Sequence, residues 1–178
     1  MALSFKEINR DSAYVHDVEN IFRISFPRRT AVSMEDFFRM KAQGNFDFQA
    51  IFDGDDLVGF YNALVSDSIT YLFFFAIDSD ARSRGYGSRV LSLLPDQYPD
   101  RIQILDMERV DPEADNYDQR CRRRDFYEKN GYYDSGYQIS YFGEVFTLMT
   151  KASFPMDDLE QLLNTADLEA FDPQIIHS

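Results

Sequence analysis

The chain has 178 residues, with 18 Lys and Arg against 31 Asp and Glu, a net charge of -13 and a 44% hydrophobic, 16% aromatic composition. That size and apolar content suit one packed domain rather than a disordered chain, and the acidity argues against a nucleic-acid partner, which needs a basic surface. One cysteine, Cys121, and two histidines, His16 and His177, exclude an intramolecular disulfide and argue against a zinc centre.

Leu3 to Ile8 reads as a first strand, and Asp11 as the N-cap of a helix in which Val15, Val18, Ile21 and Phe22 recur at helical spacing until Pro27. Ser33-Met34-Glu35-Asp36 opens a second helix carrying Phe37, Phe38 and Met40, with Gly44 past its end. Phe48 to Phe52 and Leu57 to Val65 read as strands joined by the turn Asp53-Gly54-Asp55-Asp56. A strand over Ile69 to Ile77 is followed by a loop, and a helix runs from about Gly85 to Leu94, where Pro95 is expected to stop it. Arg101 to Glu108 forms another strand, and Asp118 to Asn130 a helix with Gly131 at its exit. Strands near Tyr137 to Tyr141 and Glu144 to Thr150 follow, separated by Phe142-Gly143. After Pro155 a tail helix carries Leu159, Leu162, Leu163 and Ala166.

The strand-helix-strand passage from Ile69 to Glu108 makes those two strands parallel, with antiparallel hairpins on either side, so the fold class is a mixed α/β sheet. Residues 1–152 are expected to form the main domain, and 153–178 an acidic helix and tail extending it. The tail holds Asp157, Asp158, Glu160, Asp167, Glu169 and Asp172 with no Lys or Arg. No apolar run nears the roughly 20 residues that span a bilayer, and the N-terminus MALSFKEINR has no apolar signal-peptide core, so a cytoplasmic location is expected. The remaining negative charge favours a cationic small-molecule partner such as an amine, although acidity also serves solubility alone. The leucine stripe of the tail helix must be buried, either on its own domain or on a second copy, and a homodimer is the second of these two expectations.

Arg82-Ser83-Arg84-Gly85-Tyr86-Gly87 has the form R-x-x-G-x-G and lies between strand and helix. Glycines let a backbone approach a ligand, first-turn amides point at anionic oxygens, and Arg82 and Arg84 add positive charge, so this loop can cradle a diphosphate. Alone it is equally an ordinary tight turn. It is not a P-loop, which ends in Gly-Lys-Ser/Thr, nor a dinucleotide fingerprint, because Val90 stands where a third small residue is needed.

A second motif lies forty residues on. RRRDFYEKNGYY, Arg122 to Tyr133, together with the RSRGYG loop after a strand, resembles the GNAT superfamily of acyl-CoA-dependent N-acetyltransferases in both order and spacing. The resemblance covers Leu3 to Lys151. It implies a mixed sheet in which the two parallel strands splay, acetyl-CoA as co-substrate without a metal, and transfer of an acetyl group to a primary amine by direct attack. It implies that Ala76 and Ile77 bind pantetheine through their main chain, with the Ile77 amide as oxyanion donor. The loop residues Arg82, Ser83, Arg84, Gly85, Tyr86, Gly87 and Ser88 would hold the diphosphate, with Tyr86 more a packing residue. Tyr127 would protonate the departing thiolate.

The splayed strand Tyr71-Leu72-Phe73-Phe74-Phe75 offers no carboxylate for a base, but its partner carries Asp106 and Glu108 on one face, about 6.6 Å apart along the strand. Glu108 is the first expected base or ammonium anchor and Asp106 the second; the alternative is an exposed strand end pairing with Arg109 or a basic helix residue. Arg120 and Arg123 stand where many family members carry Asn and Ala near coenzyme A. With Arg124 and Tyr127 they share one helix face, so at least one arginine is expected to meet a coenzyme phosphate. Cys121 has no histidine partner, which disfavours a covalent intermediate. Alternatives within the resemblance are a non-catalytic acyl-CoA-binding module and an enzyme acting on protein N-termini or lysines. Phe26, Phe37 and Phe38 are candidate walls of the acceptor site.

Overall fold

The structure, a computed structural model, describes residues 2–29, 31–169 and 171–177. In chain order its elements are β1 Leu3–Glu7, α1 Val15–Ser25, α2 Met34–Lys41, β2 Phe46–Asp53, β3 Asp56–Val65, β4 Ile69–Ile77, a 3-10 turn Ser79–Ala81, α3 Tyr86–Gln97, β5 Ile102–Glu108, α4 Tyr117–Lys129, β6 Tyr133–Tyr141, β7 Glu144–Thr150, α5 Met156–Thr165 and β8 Gln174–His177. The eight strands form one sheet in the order β1-β2-β3-β4-β5-β7-β6-β8, and only β4 and β5 are parallel. The apolar residues of α1, α2 and α5 pack on one face of the sheet. Those of α3, with Tyr127 of α4, pack on the other.

Four local expectations are corrected. Asp11 does not cap α1: Ser12 Oγ accepts from the Asn9 amide at 2.9 Å and closes a turn there, so the helix starts at Val15 behind Tyr14. Pro95 does not stop α3, which runs to Gln97. It lies in the last turn, where Tyr98 holds the chain end through its amide on the Leu94 carbonyl at 2.8 Å and its hydroxyl on Asp47 at 2.7 Å. β6 begins at Tyr133 rather than Tyr137, with its pairing to β7 interrupted between Asp134 and Gln138. Finally, the tail ends in a strand, β8, antiparallel to β6 from Ser140↔Gln174 to Tyr137↔His177. Four residues after Pro173 carry too short a pattern to announce a strand. The second helix opens at Ser33–Asp36 as expected, with Ser33 and Asp36 closing a capping box.

The leucine stripe of α5 is buried in its own chain: Leu159, Leu162 and Leu163 join the same cluster as Phe73, Ile104 and Leu148. The stripe therefore needs no second subunit to cover it.

The central event is the separation of β4 from β5. They pair from Ile69↔Ile102 to Leu72↔Leu105 and no further, although β4 continues beside β3 to Gly59↔Ile77 and β5 beside β7 to Glu108↔Phe146. The cause is local. Between Asn62↔Phe74 and Ala63↔Leu72 the residue Phe73 has no partner on β3, a bulge that bends β4 and increases its twist. Asn62 is fully buried, and its Oδ1 accepts from the Phe74 amide at 2.8 Å, satisfying a backbone donor displaced by the bulge.

Candidate functional site

The split between β4 and β5 opens a cleft of about 560 Å³. Its β4 wall is Leu72 to Ile77, its β5 wall Leu105 to Glu108, and α4 covers it with Gln119, Arg122, Arg123, Phe126 and Tyr127. One end reaches Arg82, Ser83 and Gly87 of the loop, with Ser25 against Arg82, and the other Arg29, Tyr141 and Phe146, with Phe26 between them.

At the loop end, backbone conformation does most of the positioning. Ser83 and Gly85 both have positive φ, +65° and +78°, and Gly85 is the N-cap of α3. No side chain caps α3, so its first-turn amides are left for an outside acceptor at the positive end of the helix dipole. That arrangement fits a diphosphate. The two glycines serve different ends. A Cβ on Gly85 would meet nothing within 4 Å, whereas one on Gly87 would lie 2.9 Å from Cζ of Phe126. Gly85 is needed for its conformation, and Gly87 lets α3 and α4 approach each other at the cleft.

The side chains of the loop diverge. Arg82 reaches back to the Ile77 carbonyl at 3.3 Å and to Ser25 Oγ at 3.4 Å, tying the end of β4 to the end of α1. Arg84 turns away into a shallow surface pocket with Asp55, Asp56, Asp78 and Asp80. Tyr86 donates to Asp53 Oδ2 at 2.7 Å and is a packing residue. Ser88 Oγ accepts from Asn130 Nδ2 at 3.2 Å.

On α4 only part of the expected arginine face meets the cleft. Arg123 lines it, together with Arg122, which the helical spacing did not single out. Arg120 does not line it. Its Nε lies 3.0 Å from Glu108 Oε2 and 2.8 Å from Asn116 Oδ1, and its Nη1 donates to the Arg109 carbonyl at 2.8 Å. Glu108 also accepts from Asn116 Nδ2 at 2.8 Å. The alternative reading of Glu108, an ion pair with a basic helix residue, is therefore what forms.

Asp106 is the first β5 residue past the last β4 pair, and Tyr71 and Tyr141 both donate to its Oδ2, the latter at 2.9 Å. Its Oδ1 has no protein partner among the described residues. Burial pushes its carboxyl up to about 6, opposed by the two hydroxyls and by the charge of Arg29. Tyr127 is 9% exposed, and its hydroxyl bonds to no other described residue. Burial pushes the Tyr127 phenol up to about 12, against the charge of Arg123 and with that of Asp106. A phenol so placed stays protonated at any physiological pH.

Of the expected acceptor walls, Phe26 lines the cleft while Phe37 and Phe38 belong to the core. Arg29, in the connection between α1 and α2, was missed; a lone arginine in a loop carries no periodic or motif signal. Among the described residues no His, Cys, Asp and Glu groups come together to hold a metal, and no helix is long and apolar enough to cross a membrane.

Comparison with known proteins agrees with this geometry. The sequence profile of the acetyltransferase (GNAT) family matches residues 14–132. No curated protein matches the chain significantly. Among solved structures, a protein from Bacteroides thetaiotaomicron assigned to the GNAT acetyltransferases is 25% identical with a TM-score of 0.69, covering 90% of this chain and 94% of that one. An aminoglycoside 6'-N-acetyltransferase complexed with coenzyme A is 19% identical, TM-score 0.60, covering 85% and 99%. A GNAT family acetyltransferase from Elizabethkingia anophelis with acetyl-CoA bound is 11% identical, TM-score 0.59, covering 85% and 98%. The last two likenesses establish the fold alone.

Proposed function

The chain belongs to the GNAT family of acetyltransferases, and we propose that it transfers an acetyl group from acetyl-CoA to a primary amine by direct attack, with Asp106 as base and Tyr127 as acid. The observation that carries this reading is the single cleft that holds both groups and runs to the uncapped start of α3. The amides after Gly85 would hold the diphosphate, with Arg82, Arg122 and Arg123 as the nearby positive side chains. Ala76 and Ile77 lie on the stretch of β4 that β5 has left, an edge with no neighbouring strand on that side, which suits pairing with the pantetheine arm.

The chemistry follows from the two environments. An ammonium ion must lose a proton before it attacks, and a carboxylate with a pKa near 6 is ionised at neutral pH yet basic enough to accept it. The neutral amine nitrogen bonds to the carbonyl carbon, the carbon–sulfur bond breaks as Tyr127 gives its proton to the sulfur, and the second proton that the nitrogen sheds on becoming an amide restores the phenol, while Asp106 releases the first to solvent. Asp106 replaces Glu108 as the preferred base because both contacts of Glu108 tie it to the start of α4. Glu108 and Arg120 are structural in this reading.

The test is thiol release from acetyl-CoA against an amine panel. Tyr127→Phe and Asp106→Asn should each lower kcat by about 10²-fold or more while acetyl-CoA still raises the melting temperature. Tight coenzyme binding with no thiol release for any amine would replace the enzyme with a binding module.

A further inference from the structure

The end of the cleft away from the loop carries a charge that the proposed reaction does not use. Arg29 is 8% exposed and lines the cleft. Its Nη2 donates to Glu144 Oε2 at 2.7 Å, and Glu144 Oε1 also lies 3.4 Å from the exposed Arg28. Its guanidinium carbon lies 5.8, 5.1 and 5.4 Å from the ring centres of Tyr141, Phe142 and Phe146. A guanidinium has five donors, and no further side-chain partner for its Nε or Nη1 occurs among the described residues. Burying such a group is costly unless its remaining donors find an acceptor. Its backbone is held as well, since Arg23 Nη1 donates to the Arg29 carbonyl at 3.2 Å.

Opposite charge stands close by. Tyr141 joins the two positions, its ring beside the Arg29 guanidinium and its hydroxyl on Asp106 at 2.9 Å. The cleft thus presents a cation and a carboxylate about one tyrosine apart, between the aromatic walls of Phe26, Phe73 and Phe146. This is the complement of a zwitterion. We propose that the acceptor is a primary amine that also carries a carboxylate, such as an apolar amino acid, with the carboxylate on Arg29 and the amine facing Asp106. The inference rests on the acetyltransferase reading and names the substrate class for the same site. It also revises the cationic acceptor expected from net charge. The acidity lies elsewhere, six carboxylates in the tail and Asp17, Asp55, Asp56, Asp78 and Asp80 around a separate surface pocket, so it does not describe the cleft.

The experiment compares matched acceptors with the full chain: leucine with leucinamide, phenylalanine with phenylalaninamide, and spermidine as the polycation, all at pH 8. The carboxamides have the larger fraction of neutral amine there, so intrinsic reactivity opposes the expected result. The wild type should favour each acid over its amide at least tenfold in kcat/KM. Arg29→Gln should abolish that preference through KM, leaving the amide rate within a few-fold, while Glu144→Gln should retain it. If Arg29 only holds the fold, Arg29→Gln and Glu144→Gln would lose both acceptors alike, which overturns the proposal. Stabilisation by acetyl-CoA checks that each variant is folded, and the wild-type comparison stands without any variant. Equal or better use of the amides or spermidine overturns the substrate class and leaves the acetyltransferase intact. No thiol release with any amine overturns both.

Discussion

The two ends of the cleft are built by different means. At the loop end the groups on offer are backbone amides, set by a left-handed glycine and the start of a helix, within a few residues of one another in sequence. At the aromatic end they are side chains brought from α1's exit, β4, β5, β6 and β7: Arg29, Phe73, Asp106, Tyr141 and Phe146. A backbone cradle needs only two permissive positions and tolerates change elsewhere. A cradle of buried side chains depends on every element that carries one, and its charges must balance within it.

Breaking each end should therefore look different. The largest effect is expected at the two groups of the proposed proton transfers: Tyr127→Phe and Asp106→Asn should cost about 10²-fold or more in kcat with acetyl-CoA binding kept, as steady-state and thermal-shift measurements would show. Next, Gly87→Val would press its side chain on the Phe126 ring, since even a Cβ lies 2.9 Å away. It should destabilise the fold by about 1–3 kcal/mol and weaken acetyl-CoA at least tenfold, leaving any acceptor preference unchanged. A rise in acceptor KM alone would contradict the separation of the two ends.

The pH dependence sharpens the role of Asp106. As a base it must be ionised, so kcat/KM should rise through about pH 6, with no falling limb from Tyr127 below about 12. Stability runs the other way. The folded carboxyl titrates higher than an unfolded one, so its contribution is full below about pH 4 and lost as pH passes 6. Asp106→Asn should accordingly melt higher than the wild type at pH 8, with the gap closing near pH 4. The smallest effect is expected at Glu108→Gln. It loosens Arg120 and the start of α4, costs about 1 kcal/mol or less, and should reduce kcat at least tenfold less than Asp106→Asn. A loss as large as that of Asp106→Asn would restore Glu108 as the base.

Much of the fold was legible because its signals are short in range. The Ser33/Asp36 capping box, the run Ile69 to Ile77 and the glycines of the loop each act within a few residues. The Asp11 cap failed locally, to the Ser12–Asn9 turn, but two other failures had long-range causes: the end of α3 past Pro95 is held where Tyr98 finds Asp47 and Tyr61, and β8 exists because β6 offers it an edge. In the site, the helical spacing placed Arg123 and Tyr127 on the cleft but could not tell that Arg120 turns to Glu108.

What the sequence alone determined is the loop end of the cleft: strand, glycine loop, helix start and the FYEKNGY helix, each a local pattern whose geometry follows from residue type. The aromatic end was decided only by the tertiary structure. The bulge at Phe73 opens the sheet, and the folded chain then sets Arg29, Asp106 and Tyr141 side by side although far apart in sequence. Local propensity does not encode such a meeting. It follows from sheet order and from the need of buried charges to find partners.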